Sequence, residues 1–156
     1  LCTGVKVVGP EKDAALAAVA KFLDNREGDT IDGETIYNAI CFQVRVTMDD
    51  GKYLLLCGDS AYAMLESNLK NIPYIQLPHH GKYEIAEKIF AQKDKEFGLD
   101  VKYYVSDNTG TTNGGSDTLK KKNYGHSVTY TTAGDINVSS NVAAPKYVLG
   151  KSLGVI

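Results

Sequence analysis

Cysteine, histidine and long apolar runs are scarce in this sequence. Its three cysteines are Cys2, Cys41 and Cys57, an odd number with no CxxC spacing. That argues against a disulfide framework and against a cysteine-built zinc knot. Cys41 and Cys57 stand inside apolar stretches and read as small core residues. No apolar run approaches the ~20 residues that a membrane-spanning helix needs. No signal peptide is visible. The chain opens on Leu1 rather than Met, so an upstream part is expected to be missing from it. A strong charge of either sign is also lacking, because the formal net charge is -2. Bulk attraction to nucleic acid or to an anionic membrane is therefore not expected. The dense basic cluster Lys120-Lys121-Lys122 reads as a solvated helix end, with a local basic groove left open. None of this fixes a compartment.

What is present is ordinary in bulk. At 156 residues the chain fits one domain, or part of one, and can bury a sizeable core. Hydrophobic content of 43% and charged content of 23% place it with soluble globular proteins. Residues 5–10 read as a short strand ended by a turn. Residues 11–24 read as a helix with Leu16, Val19, Ala20 and Leu23 on its inner face. Residues 25–33 form a polar loop. A strand over 36–48 turns at Asp49-Asp50-Gly51 into a second strand over 52–57. A helix over 60–70, with Ser60 as its N-cap, leads to a strand over 74–77. A helix over 84–97 buries Ile85, Ala86, Ile89 and Phe90 and stops at Gly98. A strand over 101–105 precedes a Gly/Thr/Asn-rich loop over 106–116 and a short helix over 117–122. The ranges 126–132 and 135–138 read as a hairpin, and 139–156 as an irregular tail. Strands alternating with helices argue for an α/β fold with a mixed sheet flanked by helices.

The chemistry concentrates where apolar strands stop. Tyr53-Leu54-Leu55-Leu56-Cys57-Gly58-Asp59-Ser60 ends on a carboxylate, and Leu77-Pro78-His79-His80-Gly81 ends on two imidazoles. Open α/β sheets place ligands at such strand ends. Hard oxygen beside borderline nitrogen suits zinc, manganese or iron. Asp59 reads equally as a ligand or as an acid at a helix N-terminus. Adjacent side chains diverge, so one histidine can bind metal while the other holds substrate or a supporting carboxylate. Two ligand types do not complete a site, since a catalytic zinc usually takes three protein ligands and water. His126 is the remaining histidine and reads as a packing or surface residue. Asp107, Asp117 and Asp135 can supply oxygen but also suit turns and caps. The loop over 107–116 offers backbone N–H groups for an anion, without a Gly-Lys-Ser/Thr sequence. Cys57 and Ser60 lie near Asp59, but no histidine stands with them in a recognisable triad arrangement.

In order, these blocks resemble the C-terminal half of a metallo-β-lactamase-fold hydrolase of the ComEC-type competence-protein branch. The matching runs are Asn38-Ala39-Ile40-Cys41-Phe42-Gln43-Val44-Arg45-Val46, Leu54-Leu55-Leu56-Cys57-Gly58-Asp59, Leu77-Pro78-His79-His80-Gly81, Tyr104-Val105-Ser106, Asn113 and Thr131-Thr132-Ala133-Gly134-Asp135-Ile136. The likeness covers roughly residues 36–138. It implies half of an αββα fold and a metal-dependent hydrolase. Zinc or manganese would be the metal, with two ions in the intact domain. It also implies Asp59 as a bridging carboxylate and His79 or His80 as a metal ligand or transition-state contact. Phosphodiester or nucleic-acid-like substrates would have their phosphate near Asn113, and family analogy allows an extracytoplasmic location. Two features depart from the family. The His-x-His-x-Asp-His cluster is absent, and the late loop reads Asn113-Gly114-Gly115-Ser116 with no histidine. Tyr124-Gly125-His126 falls too late to replace it. The chain is therefore expected to be a fragment, inactive alone, with an apolar sheet face that pairs with the missing N-terminal half, a second copy or another chain. Two other readings stay open: a degenerate binding or scaffolding domain with the same sheet, and a nucleotide- or phosphate-binding α/β domain using residues 108–116.

Overall fold

The computed structural model describes residues 4–24, 30–107, 116–122, 125–136 and 138. The proposed tail over 139–156, Asn113 and most of its loop lie outside the described residues.

Six strands form one sheet: β1 (Val5–Gly9), β4 (Gln43–Thr47), β5 (Tyr53–Leu56), β6 (Tyr74–Gln76), β7 (Lys102–Val105) and β8 (Ser127–Tyr130), in that spatial order. The β1–β4 and β4–β5 pairs are antiparallel, while β5 to β8 run parallel. A short second sheet pairs β2 (Thr30–Ile31) with β3 (Glu34–Thr35). The fold is thus α/β with a mixed six-stranded sheet flanked by helices.

The period-2 alternation of strands gives this sheet two unlike faces. On one, Leu55, Ile75 and Tyr103 stand in register across β5–β7 and are buried. Helix α4 (Tyr83–Phe97) covers them through Ile85, Ile89 and Phe90. The Phe90 ring meets Tyr103 edge-on with centroids 4.6 Å apart. On the other face, the row Val7, Val44, Leu56, Gln76, Tyr104 crosses five strands without a buried member. Val7 is 59% exposed and Leu56 36%. Leu54 and Tyr74, one row along on the same face, are buried.

Four sequence expectations about element bounds and faces are corrected. The range 36–48 does not form one strand. Helix α2 (Ile36–Ala39) comes first, started by Thr35, whose hydroxyl accepts the Asn38 N–H at 3.3 Å. The loop over 25–33 contains β2 and the two-residue turn Asp32-Gly33, whose positive φ values suit a hairpin. Helix α1 (Lys12–Asp24) has the expected span, and Glu11 accepts the Asp13 and Ala14 N–H groups at its start. Its expected inner face is exposed, with Leu16 at 57% and Leu23 at 68%; Ala18 is the buried residue and Phe22 meets Tyr37 edge-on. Finally, the described residues of 126–138 form no hairpin. The chain returns through α5 (Asp117–Lys121), so β8 enters parallel to β7, and Thr131–Ala133 close a 3-10 turn after it.

Helix α3 (Tyr62–Leu65) continues into a 3-10 turn over Glu66–Leu69. Ser60 does not cap it. The Ser60 hydroxyl donates to the Cys41 carbonyl at 3.0 Å, and Asp32 from the hairpin accepts the Ala63 N–H at 2.8 Å instead. Among the described residues no helix is long and apolar enough to cross a membrane.

Candidate functional site

The C-terminal ends of β5, β6 and β7 lie side by side because the three strands are parallel. The Gly58-Asp59 turn follows β5, the His79-His80 turn follows β6, and Ser106-Asp107 follow β7. Three hydrogen-bond connections hold these turns together. The His79 N–H donates to the Gly58 carbonyl at 3.1 Å. Gln76 Oε1 accepts the Cys57 and Gly58 N–H groups at 2.9 and 3.2 Å. His80 Nδ1 lies 2.7 Å from the Ser106 carbonyl. Asp59 and the twin histidines are therefore brought to one edge of one sheet.

The histidines hold an unfavourable backbone. His79, His80 and Gly81 have φ of 48, 54 and 78° in succession. A left-handed conformation costs a residue with a Cβ about 1–2 kcal/mol. Such strain persists only where surroundings enforce it, and it collects at functional sites.

A carbonyl oxygen only accepts, so the contact with Ser106 puts the proton of neutral His80 on Nδ1 and the lone pair on Nε2. His79 is buried, and its Nδ1 lies 3.0 Å from Glu34 Oε2. That approach falls outside hydrogen-bond geometry, and Nδ1 has no hydrogen-bond partner among the described residues. Glu34 is 2% exposed and also meets Lys82 Nζ at 2.5 Å. The two imidazole centroids are 6.3 Å apart with planes at 70°, so the rings diverge. Asp59 is half-buried, and its carboxylate makes no hydrogen bond or ion pair with a described residue.

This arrangement partly fits a divalent cation. Metal-bound histidines typically have the second ring nitrogen held by a carboxylate or carbonyl; the Ser106 carbonyl holds Nδ1 of His80, and the Glu34 carboxylate lies beside Nδ1 of His79. A half-buried carboxylate without a partner is a suitable oxygen donor. However, no group of three or more His, Cys, Asp or Glu side chains among the described residues is placed to hold an ion. Asp59, His79 and His80 can supply donors, but the described chain does not close a coordination shell around them.

The other candidates separate clearly. Burial pushes the Cys57 thiol up, and Ser60 is buried with its hydroxyl committed, so neither suits a nucleophile. His126 sits at the opposite sheet end, just before β8. Its ring stacks on Phe90 at 4.1 Å and its Nε2 meets the Asp94 carboxylate at 2.9 and 3.1 Å, which is a packing role. Asp117 and Asp135 are exposed.

Asp107 anchors the loop that contains Asn113. Its carboxylate accepts from Ser116 at 2.7 Å, from Thr132 at 3.1 Å and from Lys120. Burial alone would raise this carboxyl. Hydrogen bonds from Lys120, Ser116 and Thr132, with the Lys120 charge, outweigh burial and hold it below the usual range. A depressed folded value contributes stability above the unfolded pKa, and that contribution is lost as pH falls through the folded one. Asp107→Asn is thus expected to cost about 1–2 kcal/mol near neutral pH. The gap from wild type should close on acidification below about pH 4. Urea denaturation at several pH values reads this, and a pH-independent gap would count against it.

Sequence reasoning missed Glu34 and Lys82. The available signal was the Asp32-Gly33 dipeptide, which marks the hairpin that delivers Glu34. Comparisons with protein-family models, curated proteins and solved structures found no match for this chain.

Proposed function

We propose that the chain is the C-terminal half of a metallo-β-lactamase-like, metal-dependent hydrolase acting on phosphodiester or nucleic-acid-like substrates. The observation that carries this reading is the pair of histidines, with the Ser106 carbonyl or the Glu34 carboxylate beside Nδ1 and no partner for Nε2 among the described residues, at the same sheet end as Asp59, whose carboxylate also has no partner among them. Asp59, His79 and His80 would hold zinc or manganese. The metal, when bound, would lower the pKa of a water and polarise the scissile group. The chain's own part is to fix both imidazoles before the ligand arrives, through Glu34 and the Ser106 carbonyl. The Asp107 cluster fixes the ends of the loop containing Asn113, which the resemblance places near substrate phosphate.

The bare sheet face supports the companion proposal that a partner sheet covers it and brings the missing ligands. Packed sheets sit about 10 Å apart, and Val7, Val44 and Leu56 offer the apolar row such packing uses. The missing N-terminal half fits this role better than a second copy, which would duplicate the same three donors without adding the His-x-His-x-Asp-His set.

The test is calorimetric titration of the chain with Zn²⁺ and Mn²⁺. Saturable binding is expected, weakened about 10-fold or more by Asp59→Ala and by His80→Ala. Hydrolysis of bis-p-nitrophenyl phosphate is expected only when the histidine cluster is supplied in the same protein. The second reading, a non-catalytic scaffolding domain, draws on the open coordination shell. Wild-type chain that binds neither ion would favour it.

A further inference from the structure

We propose that Glu34 is the positioning residue of His79: its buried carboxylate, 3.0 Å from Nδ1, repels a lone pair there and so favours the Nδ1–H tautomer, which leaves the lone pair on Nε2. This deepens the reading given above and rests on the same twin-histidine site.

The two rings face one chemical problem and meet it differently. Each must carry its proton on Nδ1 if Nε2 is to donate a lone pair. His80 reaches the Ser106 carbonyl at the end of β7. His79 Nδ1 is buried with no hydrogen-bond partner among the described residues, and the group beside it is the Glu34 carboxylate, with Oε2 at 3.0 Å. The second oxygen of that carboxylate meets Lys82 Nζ at 2.5 Å. Lys82 stands at the start of α4, immediately after the histidine turn. The carboxylate is thus fixed between the ring it orients and a cation on the segment that follows it.

Burial argues that this placement is specific. A carboxylate withdrawn from water needs compensating partners, and Glu34 at 2% exposure has two. A surface hairpin carries no need for a buried acid at this position. The Asp32-Gly33 turn sets the register in which Glu34 pairs with Ile31. Asp32 meanwhile ties the hairpin to α3 through the Ala63 N–H and to α4 through Lys88 at 2.7 Å. The hairpin is therefore anchored on both sides of the residue that touches His79.

The test reads the ring directly, by long-range ¹H–¹⁵N correlation NMR of the full chain at a pH where both imidazoles are neutral. Wild type is expected to show the Nδ1–H tautomer at His79 and His80. In Glu34→Met, His79 is expected to become a tautomer mixture while His80 stays Nδ1–H, because its carbonyl partner is untouched. The unchanged His80 signal also reports that the variant is folded. If Glu34→Met does not fold, the wild-type spectrum decides alone: Nε2–H at His79 overturns the proposal and Nδ1–H supports it. Retention of pure Nδ1–H in a folded Glu34→Met overturns it as well. Zinc titration separates this inference from the metal reading. Affinity is expected to fall about 10–100-fold in Glu34→Met. A Glu34-dependent His79 tautomer in a chain that binds no zinc keeps the positioning role and removes the metal.

Discussion

Ile75→Ala is expected to remove about 2–5 kcal/mol of stability. Ile75 is the middle residue of β6 and is fully buried. It stands in register between Leu55 and Tyr103, on the face that α4 covers. Truncation removes buried apolar surface and leaves a void that close-packed neighbours fill only partly. Domains are stable by about 5–15 kcal/mol, so this single change takes a large share. Because β6 leads directly into His79 and His80, the site should lose its geometry in step with the fold. Leu23→Ala is the matched control. It deletes the same carbon atoms from a side chain that is 68% exposed, and its cost should stay within about 0.5 kcal/mol. Urea denaturation of both variants reads the difference as a lower midpoint with an unchanged slope for Ile75→Ala. A cost within about 0.5 kcal/mol for Ile75→Ala as well would mean that the sheet has been assigned the wrong buried face.

That comparison also marks how far the sequence could be read. The apolar stripe of residues 84–97 has helical period, and α4 buries the Ile85, Ala86, Ile89 and Phe90 that it singled out. The apolar runs ending at Cys57, Leu77 and Val105 lead to parallel strand ends, which is why Asp59 and the histidines could be placed at one sheet edge. Helix α1 shows the limit. Its period was legible, but period does not say whether anything packs on the apolar side, and Leu16, Val19 and Leu23 face outward. The direction of β8 was not legible either. An apolar run before a Gly-containing turn resembles a hairpin locally, whereas pairing with β7 depends on where the crossover through α5 delivers the chain. Glu34 lay furthest out of reach. Two-residue strands leave no periodic trace, and its contacts with His79 and Lys82 join segments far apart in sequence.

Gly81→Ala should cost about 2–5 kcal/mol, from two separable causes. Gly81 has φ +78°, where a side chain costs about 1–2 kcal/mol. An added Cβ would also lie 3.1 and 3.2 Å from the two Val105 methyls and 3.2 Å from Leu119 Cδ2. Val105 and Leu119 are fully buried, on β7 and α5, so neither can swing into solvent. Overpacking of this kind adds about 1–3 kcal/mol. Gly51→Ala isolates the first cause, because Gly51 shares the same φ but an added Cβ there meets nothing within 4 Å. Thermal melts of the two variants should therefore differ, with Gly81→Ala the lower by several degrees. Equal melting would mean that β7 and α5 yield freely and that packing does not fix this turn. The consequence reaches the imidazoles. His79 and His80 hold left-handed backbone that their own side chains disfavour, and the turn they form ends on Gly81 wedged beneath β7 and α5. If that wedge enforces the turn, displacing it should lengthen the contact between His80 Nδ1 and Ser106, and the loss of the pure Nδ1–H tautomer at His80 would accompany the loss of stability.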